Sequence, residues 1–342
     1  MRLSEILAGT KTEIPFDLEI TSLADRISEI SEGSLFFCID GKNFNATSHA
    51  EEIKKRGAAA VISEKPIKTD IPNIVVENIR KTEAHAAANF FGTNKTGIKF
   101  IGITGTNGKT TVAEMIFSCL RANGKKAALT GTVNNRINEK TFESEYTTPT
   151  PILFHRFIAK AAEVGCEYCV SEVSSHALKQ NRVDGITFEL GIFTNITPEH
   201  SDYHPTFDDY KQTKLRLFEL SKKTLANLDC KEGKPFFTFP GVRTFSLENQ
   251  NAYYFCKNAV FSKILGDGNN ISATFKTESG EFPVFLSVVG KHNLSNALAA
   301  FAASDILGLS HEKTLSALAA FEGAECRGEP VKNNLGINIL ID

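Results

Sequence analysis

The sequence predicts an α/β protein: a small N-terminal α/β domain, then a central P-loop-type domain with a mostly parallel sheet, helices on both faces and an antiparallel flap. Three observations carry that prediction. Short apolar runs alternate with helical patterns along most of the chain. A glycine-rich loop stands between a strand-like run and a helix near residue 105. Around residues 252–289 the helical periodicity gives way to short β-like runs broken by Gly and Asp turn signals.

In the first region the runs Leu35 to Ile39, Ala59 to Ile62 and Ile74 to Val76 read as strands, and Ala50 to Arg56 and Ile79 to Phe91 as helices. Lys95-Thr96-Gly97 is the junction, so the first domain covers 1–97 and the central one 98–335. The central domain opens on Phe100-Ile101-Gly102-Ile103 and then repeats strand, loop and helix. Helices are expected over 109–122, 151–163 and 207–220, and strands over 127–130, 168–173 and 191–195. Such alternation calls for a parallel sheet, with ligands gathered at the carboxyl ends of its strands. Ala273 to Phe275 and Val284 to Leu286 belong to the flap, and helices near 292–307 and 311–320 follow. Ile337 to Asp342 reads as one more strand.

A length of 342 residues suits about two domains. Lys+Arg 38 against Asp+Glu 40 gives a net charge of -2, which removes the basic signature of a nucleic-acid binder. No apolar run approaches the roughly 18 residues of a membrane span. The expectation is a cytoplasmic monomer acting on a small molecule, with neither nucleic acid nor membrane as partner. Seven scattered cysteines do not frame a disulfide scaffold. Cys166-Glu167-Tyr168-Cys169 matches C-x-x-C, but no second pair stands at zinc-finger distance and its flanks read as a buried strand.

The strongest chemical signal is Gly105-Thr106-Asn107-Gly108-Lys109-Thr110-Thr111. Such a loop wraps phosphates in backbone N–H groups, while Lys109 supplies a point charge and Thr110 offers its hydroxyl to Mg²⁺. A nucleoside triphosphate is implied. The spacing departs from G-x-x-x-x-G-K-[ST], because the first glycine stands at Gly102 and the pattern puts it at Ile103.

With Gly102 to Thr111, four later segments follow in one order: Thr147-Thr148-Pro149, Ser171 to Leu178, Phe193 to Thr197, and Glu199 to His204 with Tyr210 to Phe218 after it. Together they resemble the Mur ligases, and most of all the branch that adds the third residue of the cell-wall stem peptide, meso-diaminopimelate or L-lysine. The resemblance implies ATP and Mg²⁺ as cofactors and a UDP-MurNAc-dipeptide substrate activated as an acyl phosphate. It implies that Thr110 and Glu172 hold one magnesium. His200 and Lys214 would hold a second, with Lys214 carbamylated. That modification has a physical logic, because a carbamate offers oxygens to a hard cation where an ammonium would repel it. Thr147, Thr148, Ser174, Gln180 and Arg182 match the positions that hold the substrate. Asn293 and Asn296 match the adenine segment, Arg327 the family's Gly-Arg-x-Glu, and Asp342 a ribose contact. His176 is expected to order its loop, and Lys211 to be an ordinary solvated charge.

Two stretches depart from the family pattern. Arg26-Ile27-Ser28 stands where Asp-Ser-Arg precedes Gly33-Ser34-Leu35-Phe36, and Asn45-Ala46-Thr47 replaces an Asp-Gly-His element. Family members also continue beyond a strand like 336–342 into an amino-acid-binding domain, so the 342 residues alone are expected to bind ATP without completing ligation. Two other readings stay open: a Mur-like nucleotide-binding scaffold, and another P-loop enzyme such as a GTPase or kinase. Against the last, Asn94-Lys95-Thr96-Gly97 lacks the aspartate of a guanine motif.

Overall fold

Apolar strand runs alternating with helices build one parallel sheet and one larger, mostly parallel sheet in this computed structural model, which describes residues 1–40, 46–261, 270–324, 329–330 and 340–341. The chain divides into two compact units. In the first, β1 (Ser22–Ala24), β2 (Ser34–Phe37), β3 (Ala58–Ser63) and β4 (Asn73–Val75) pair in sequence order, all parallel. The unit also holds α1 (Leu3–Ile6), α2 (Ala50–Lys55) and α3 (Ile79–Phe90). Asn78 caps α3 by accepting a hydrogen bond from Lys81 N. Leu35, Phe36, Val61, Ile62 and Ile74 form its core with Ala86 and Ala87 of α3.

The second unit is organised by β5 (Lys99–Thr104), which α4 (Lys109–Ala122) and β6 (Ala127–Thr130) follow. A hairpin of β7 (Asn134–Ile137) and β8 (Lys140–Glu143) comes next. Residues 149–162, which include all of the following helix α5 (Pro151–Glu163) except Glu163, belong to the first unit, where Ile152 joins the core, whereas the sequence places them in the second domain. The chain then adds β9 (Tyr168–Glu172), α6 (Ser175–Lys179), β10 (Phe188–Phe193), α7 (Phe207–Glu219), β11 (Ser221–Asn227), α8 (Lys234–Phe237) and β12 (Arg243–Ser246). It ends its sheet with β13 (Tyr254–Phe261), β14 (Ile271–Thr277) and β15 (Gly280–Leu286), then forms α9 (Lys291–Ile306) and α10 (His311–Ala319).

The large sheet runs β15-β14-β13-β12-β11-β10-β5-β9-β6-β7-β8. From β13 to β6 every neighbouring pair is parallel; the neighbouring pairs β13–β14, β14–β15, β6–β7 and β7–β8 are antiparallel. The flap expected from the sequence is thus one antiparallel edge of this sheet, and β7–β8 is a second. Helices cover both faces. Ile101, Ile103, Val170 and Leu190 pack with Val112 and Ile116 of α4 and with Leu298 and Phe301 of α9. On the other face Phe193 meets Tyr210 and Phe218 of α7 and Phe236 of α8. Helix α9 is apolar nearly all round, the pattern of an enclosed helix, and Ala297 to Ala303 are fully buried.

Cys166 and Cys169 are buried free thiols, and burial pushes the Cys169 thiol up to about 12, so this C-x-x-C lies within strand packing. Among the described residues no helix is long and apolar enough to cross a membrane.

Candidate active site

The glycine loop turns out of the carboxyl end of β5, the middle of the parallel sheet, and leads straight into α4. Gly105 has φ +155°, and a Cβ there would overlap the Thr194 hydroxyl. Gly108 has φ +83°, and its Cβ would lie 2.7 Å from Asn296 Oδ1. Both positions therefore favour glycine on conformation and on space. Gly102 does a different job. It sits within β5, where a Cβ would come 2.7 Å from Leu217 Cδ1, so it permits close packing of α7 on the strand and takes no part in the loop.

The loop is held from the side by the segment that leaves β10. Thr194 Oγ1 donates to Asn107 O (2.6 Å), and Asn195 Nδ2 donates to the same carbonyl (3.1 Å). Asn107 N donates to Asn195 Oδ1 (2.9 Å), and Thr106 N to Asn195 O (2.9 Å). Sequence reading gave Thr194 and Asn195 no role. Their signal was present, since a Thr-Asn pair directly follows a strand that neighbours β5, but neighbourhood in the sheet is not legible along the chain.

Lys109 Nζ donates to Gly105 O (2.9 Å) and Thr106 O (2.8 Å), which fixes its charge across the loop. Thr110 Oγ1 donates to Glu172 Oε2 (3.0 Å), joining the first turn of α4 to the last residue of β9. Glu172 is buried, and its oxygens also accept from Thr132 N (2.8 Å) and Thr132 Oγ1 (3.1 Å). A carboxylate beside two hydroxyls is a set of hard oxygen donors, which suits magnesium. Among the described residues no group of three His, Cys, Asp or Glu gathers that could hold a metal ion.

These residues line a cleft of about 1040 Å³ that runs from the loop to the N-terminal turn of α9. Thr106 to Thr111 and Glu172 line it, as do Thr147, Asn293 and Asn296. Asn296 Nδ2 donates to Asn293 Oδ1 (3.4 Å), and Asn293 Nδ2 donates to Val289 O (2.8 Å). Arg327, Asp342 and Asn45 lie outside the described residues.

Lys214 is buried on α7. Its Nζ donates to Gly105 O (2.8 Å) and stands 4.7 Å from the centre of the Tyr210 ring. Burial, and then the nearby Lys109, push the Lys214 ammonium well below the usual lysine range, against the opposing pull of Glu199. His200 lies on the turn before α7 with φ +56°, its ring 6.0 Å from that of Tyr210. Tyr210 thus has Lys214 on one contact and His200 on another. His176 stacks on Tyr203 at 4.0 Å, which ties α6 to the same turn. Lys211 is not a plain solvated charge: it is mostly buried, with Nζ 3.0 Å from Asp208 Oδ1.

Of the expected substrate residues, three meet at the end of β9. Thr148 Oγ1 donates to Glu172 O (2.8 Å) and accepts from Ser174 N (3.1 Å), while Thr132 Oγ1 donates to Thr147 Oγ1 (3.1 Å). Gln180 and Arg182 belong to the first unit, where Arg182 Nε donates to Gln180 Oε1 (3.0 Å).

Residues 103–304 match the family model of the Mur ligase middle domain. The chain belongs to the Mur ligase family. This Mur ligase is 32% identical over 335 residues to the UDP-N-acetylmuramoyl-L-alanyl-D-glutamate--2,6-diaminopimelate ligase of Bacillus cereus, covering 95% of this chain and 67% of that one. To the ligase 1 of the same name from Clostridium acetobutylicum it is 34% identical over 352 aligned residues, covering 100% of this chain and 72% of that one.

The Mur fold is equally plain in three dimensions. A solved UDP-N-acetylmuramoyl-L-alanyl-D-glutamate--2,6-diaminopimelate ligase superposes with a TM-score of 0.86 at 23% identity, over 98% of this chain and 69% of that one. The Thermotoga maritima MurF ligase in complex with ADP gives 0.64 at 20% identity, over 94% and 70%.

Proposed function

We propose that this Mur ligase joins meso-diaminopimelate or L-lysine to UDP-N-acetylmuramoyl-L-alanyl-D-glutamate, using ATP, Mg²⁺ and an acyl phosphate. One observation carries the reading: Thr110 and Glu172 are hydrogen-bonded beside Lys109 in a cleft that extends from the phosphate-type loop to Asn293 and Asn296. The identity of 32–34% to diaminopimelate-adding ligases over nearly the whole chain supports the choice of substrate.

The chemistry follows from charge. A carboxylate oxygen attacks the γ-phosphorus of ATP, the bond to the β–γ bridging oxygen breaks, and ADP leaves with the electron pair. The amine then attacks the acyl carbon, phosphate departs and the amine gives up a proton. Both steps concentrate negative charge. Backbone N–H groups at the start of α4 and the ammonium of Lys109 offset it without reorganising. Thr110 and Glu172 would hold magnesium, which would supply further positive charge to offset the phosphates. Asn293 and Asn296 are the proposed adenine contacts, and Arg327 and Asp342 complete the nucleotide set. Thr147, Thr148, Ser174, Gln180 and Arg182 are the proposed substrate contacts.

Lys214 and His200 form the proposed second metal site, with a carbamate on Lys214. Capture of CO₂ needs a neutral amine, and the depressed Lys214 supports that step. The same reading places the protein in the cytoplasm as a monomer. For residues 1–342 by themselves we propose nucleotide binding without ligation, because about a third of the relatives' length lies outside the aligned part. A second reading, a Mur-like protein acting on another carboxylate or serving as a scaffold, is favoured by the departures at Arg26-Ile27-Ser28 and Asn45-Ala46-Thr47. Titration of UDP-N-acetylmuramoyl-L-alanyl-D-glutamate into the nucleotide-bound chain separates them: binding supports the first reading, and its absence the second.

A further inference from the structure

We infer that His204 and Asp209 are positioning residues that set the spacing between His200 and Lys214. The inference rests on the reading of those two residues as the second metal site.

The turn that carries His200 is held by backbone hydrogen bonds and by the stacking of His176 on Tyr203. His200 sits at φ +56°, a left-handed conformation that disfavours a side chain. Its carbonyl accepts from Tyr203 N (3.0 Å) and His204 N (2.9 Å), which closes the turn. His204 adds a side-chain tie from the turn to α7. Its side chain is 1% exposed, and its Nδ1 lies 2.7 Å from Asp209 Oδ2. Asp209 is in the first turn of α7, where its N–H donates to the capping hydroxyl of Thr206 (3.1 Å). Lys214 stands on the same helix, five residues on. One short hydrogen bond therefore ties the turn bearing His200 to the helix bearing Lys214.

The rings repeat the connection. His204 packs against Tyr210 with centroids 5.0 Å apart, and Tyr210 is the ring that meets both Lys214 and His200. His176 approaches His204 at 6.2 Å and His200 at 5.0 Å. The other nitrogen of His204, Nε2, is buried without a hydrogen-bond partner among the described residues. A Phe would fill this space without leaving a buried nitrogen unpaired. What a histidine adds is the directional contact with Asp209. The arrangement matches the general way metal sites are tuned, in which a residue that touches no metal orients the ones that do.

The test uses the 342-residue chain and three variants, His204→Gln, Asp209→Asn and Lys214→Ala. With ¹³C-bicarbonate and Mg²⁺, the wild-type chain gives a carbamate carbon resonance that Lys214→Ala lacks. The inference expects His204→Gln and Asp209→Asn to raise the Mg²⁺ concentration at half-maximal signal by about 10- to 100-fold. Excess Mg²⁺ restores the signal, and nucleotide-analogue binding at the loop changes less than threefold. A general loss of folding would remove nucleotide binding too and excess Mg²⁺ would not restore it; if His204→Gln behaves so, Asp209→Asn decides. Wild-type Mg²⁺ dependence in Asp209→Asn overturns the inference. Absence of the resonance from the wild-type chain instead overturns the reading of Lys214 itself, and this inference with it.

Discussion

Thr110 and Glu172 are 62 residues apart in sequence, yet Thr110 Oγ1 donates to Glu172 Oε2 across 3.0 Å because β5 and β9 are parallel neighbours. The helix that follows one strand and the last residue of the other therefore face each other at a single sheet edge. Replacing Glu172 with Gln keeps the shape and removes the charge. We predict that Mg²⁺-dependent affinity for a non-hydrolysable ATP analogue falls by about 1.5–3 kcal/mol, the usual loss for a charge-assisted contact. Calorimetry with and without Mg²⁺ checks it: the two titrations of Glu172→Gln should nearly coincide, whereas those of the wild type should not.

Gly105→Ala places a methyl group against the Thr194 hydroxyl at a backbone angle that favours glycine. The loop must leave its contacts with Thr194 and Asn195, so nucleotide binding should weaken at least tenfold and stability should drop by about 1–3 kcal/mol. Gly105→Ala combined with Thr194→Ser relieves only one methyl of crowding and should recover little. A variant that binds nucleotide like the wild type would show that this loop tolerates a side chain.

His155 is buried in the first unit with Nδ1 2.6 Å from Thr93 Oγ1, and burial holds its ring down to about 3. Unfolding releases it to its ordinary range near 6.5, so between those values the unfolded chain binds the extra proton. Stability is then complete above pH 6.5 and is lost as pH falls toward 3, with a slope from this group approaching 1.4 kcal/mol per pH unit, a rough limit for one proton. Urea melts from pH 7 to 4 should show a shallower decline in His155→Gln than in the wild type.

Glu83 works in the opposite direction. Burial, and then Asp25, raise its carboxyl well above the usual range despite Arg80 and Arg182. Its stabilising contribution is present below the ordinary carboxylate value and is lost as pH rises toward the folded one. Glu83→Gln should therefore gain about 1–3 kcal/mol at pH 8 and nothing at pH 4. Chemical denaturation at those two values would reveal an equal effect at both if Glu83 were ionised in the folded protein.

Much of this architecture can be read along the chain where one local signal suffices. The apolar run of β5, the glycine turn and the amphipathic α4 appear in order, and the sequence boundaries of α4 and β6 coincide with those observed. Strands β11 and β12 were missed because Ser221-Lys222-Lys223 and Arg243-Thr244 are polar starts to short strands whose burial comes from neighbours. The β7–β8 hairpin was missed because the side chains of β8 are all exposed and follow no hydrophobic alternation. The site was legible to the same degree. Lys109, Thr110 and Glu172 stand in recognisable segments, whereas Asn195 acts on the loop through a register between β10 and β5 that only the folded sheet supplies.

The central claim is that the cleft between Gly105 and Asn296 takes Mg²⁺-ATP in a ligase that activates a carboxylate. Its most direct test is calorimetric titration of a non-hydrolysable ATP analogue with Mg²⁺, then of UDP-N-acetylmuramoyl-L-alanyl-D-glutamate into the same cell, for the wild-type chain and Lys109→Ala. The account predicts that the wild type binds both in sequence and that Lys109→Ala loses the nucleotide while keeping its fold. Wild-type protein that binds neither the nucleotide nor the acidic substrate would contradict it.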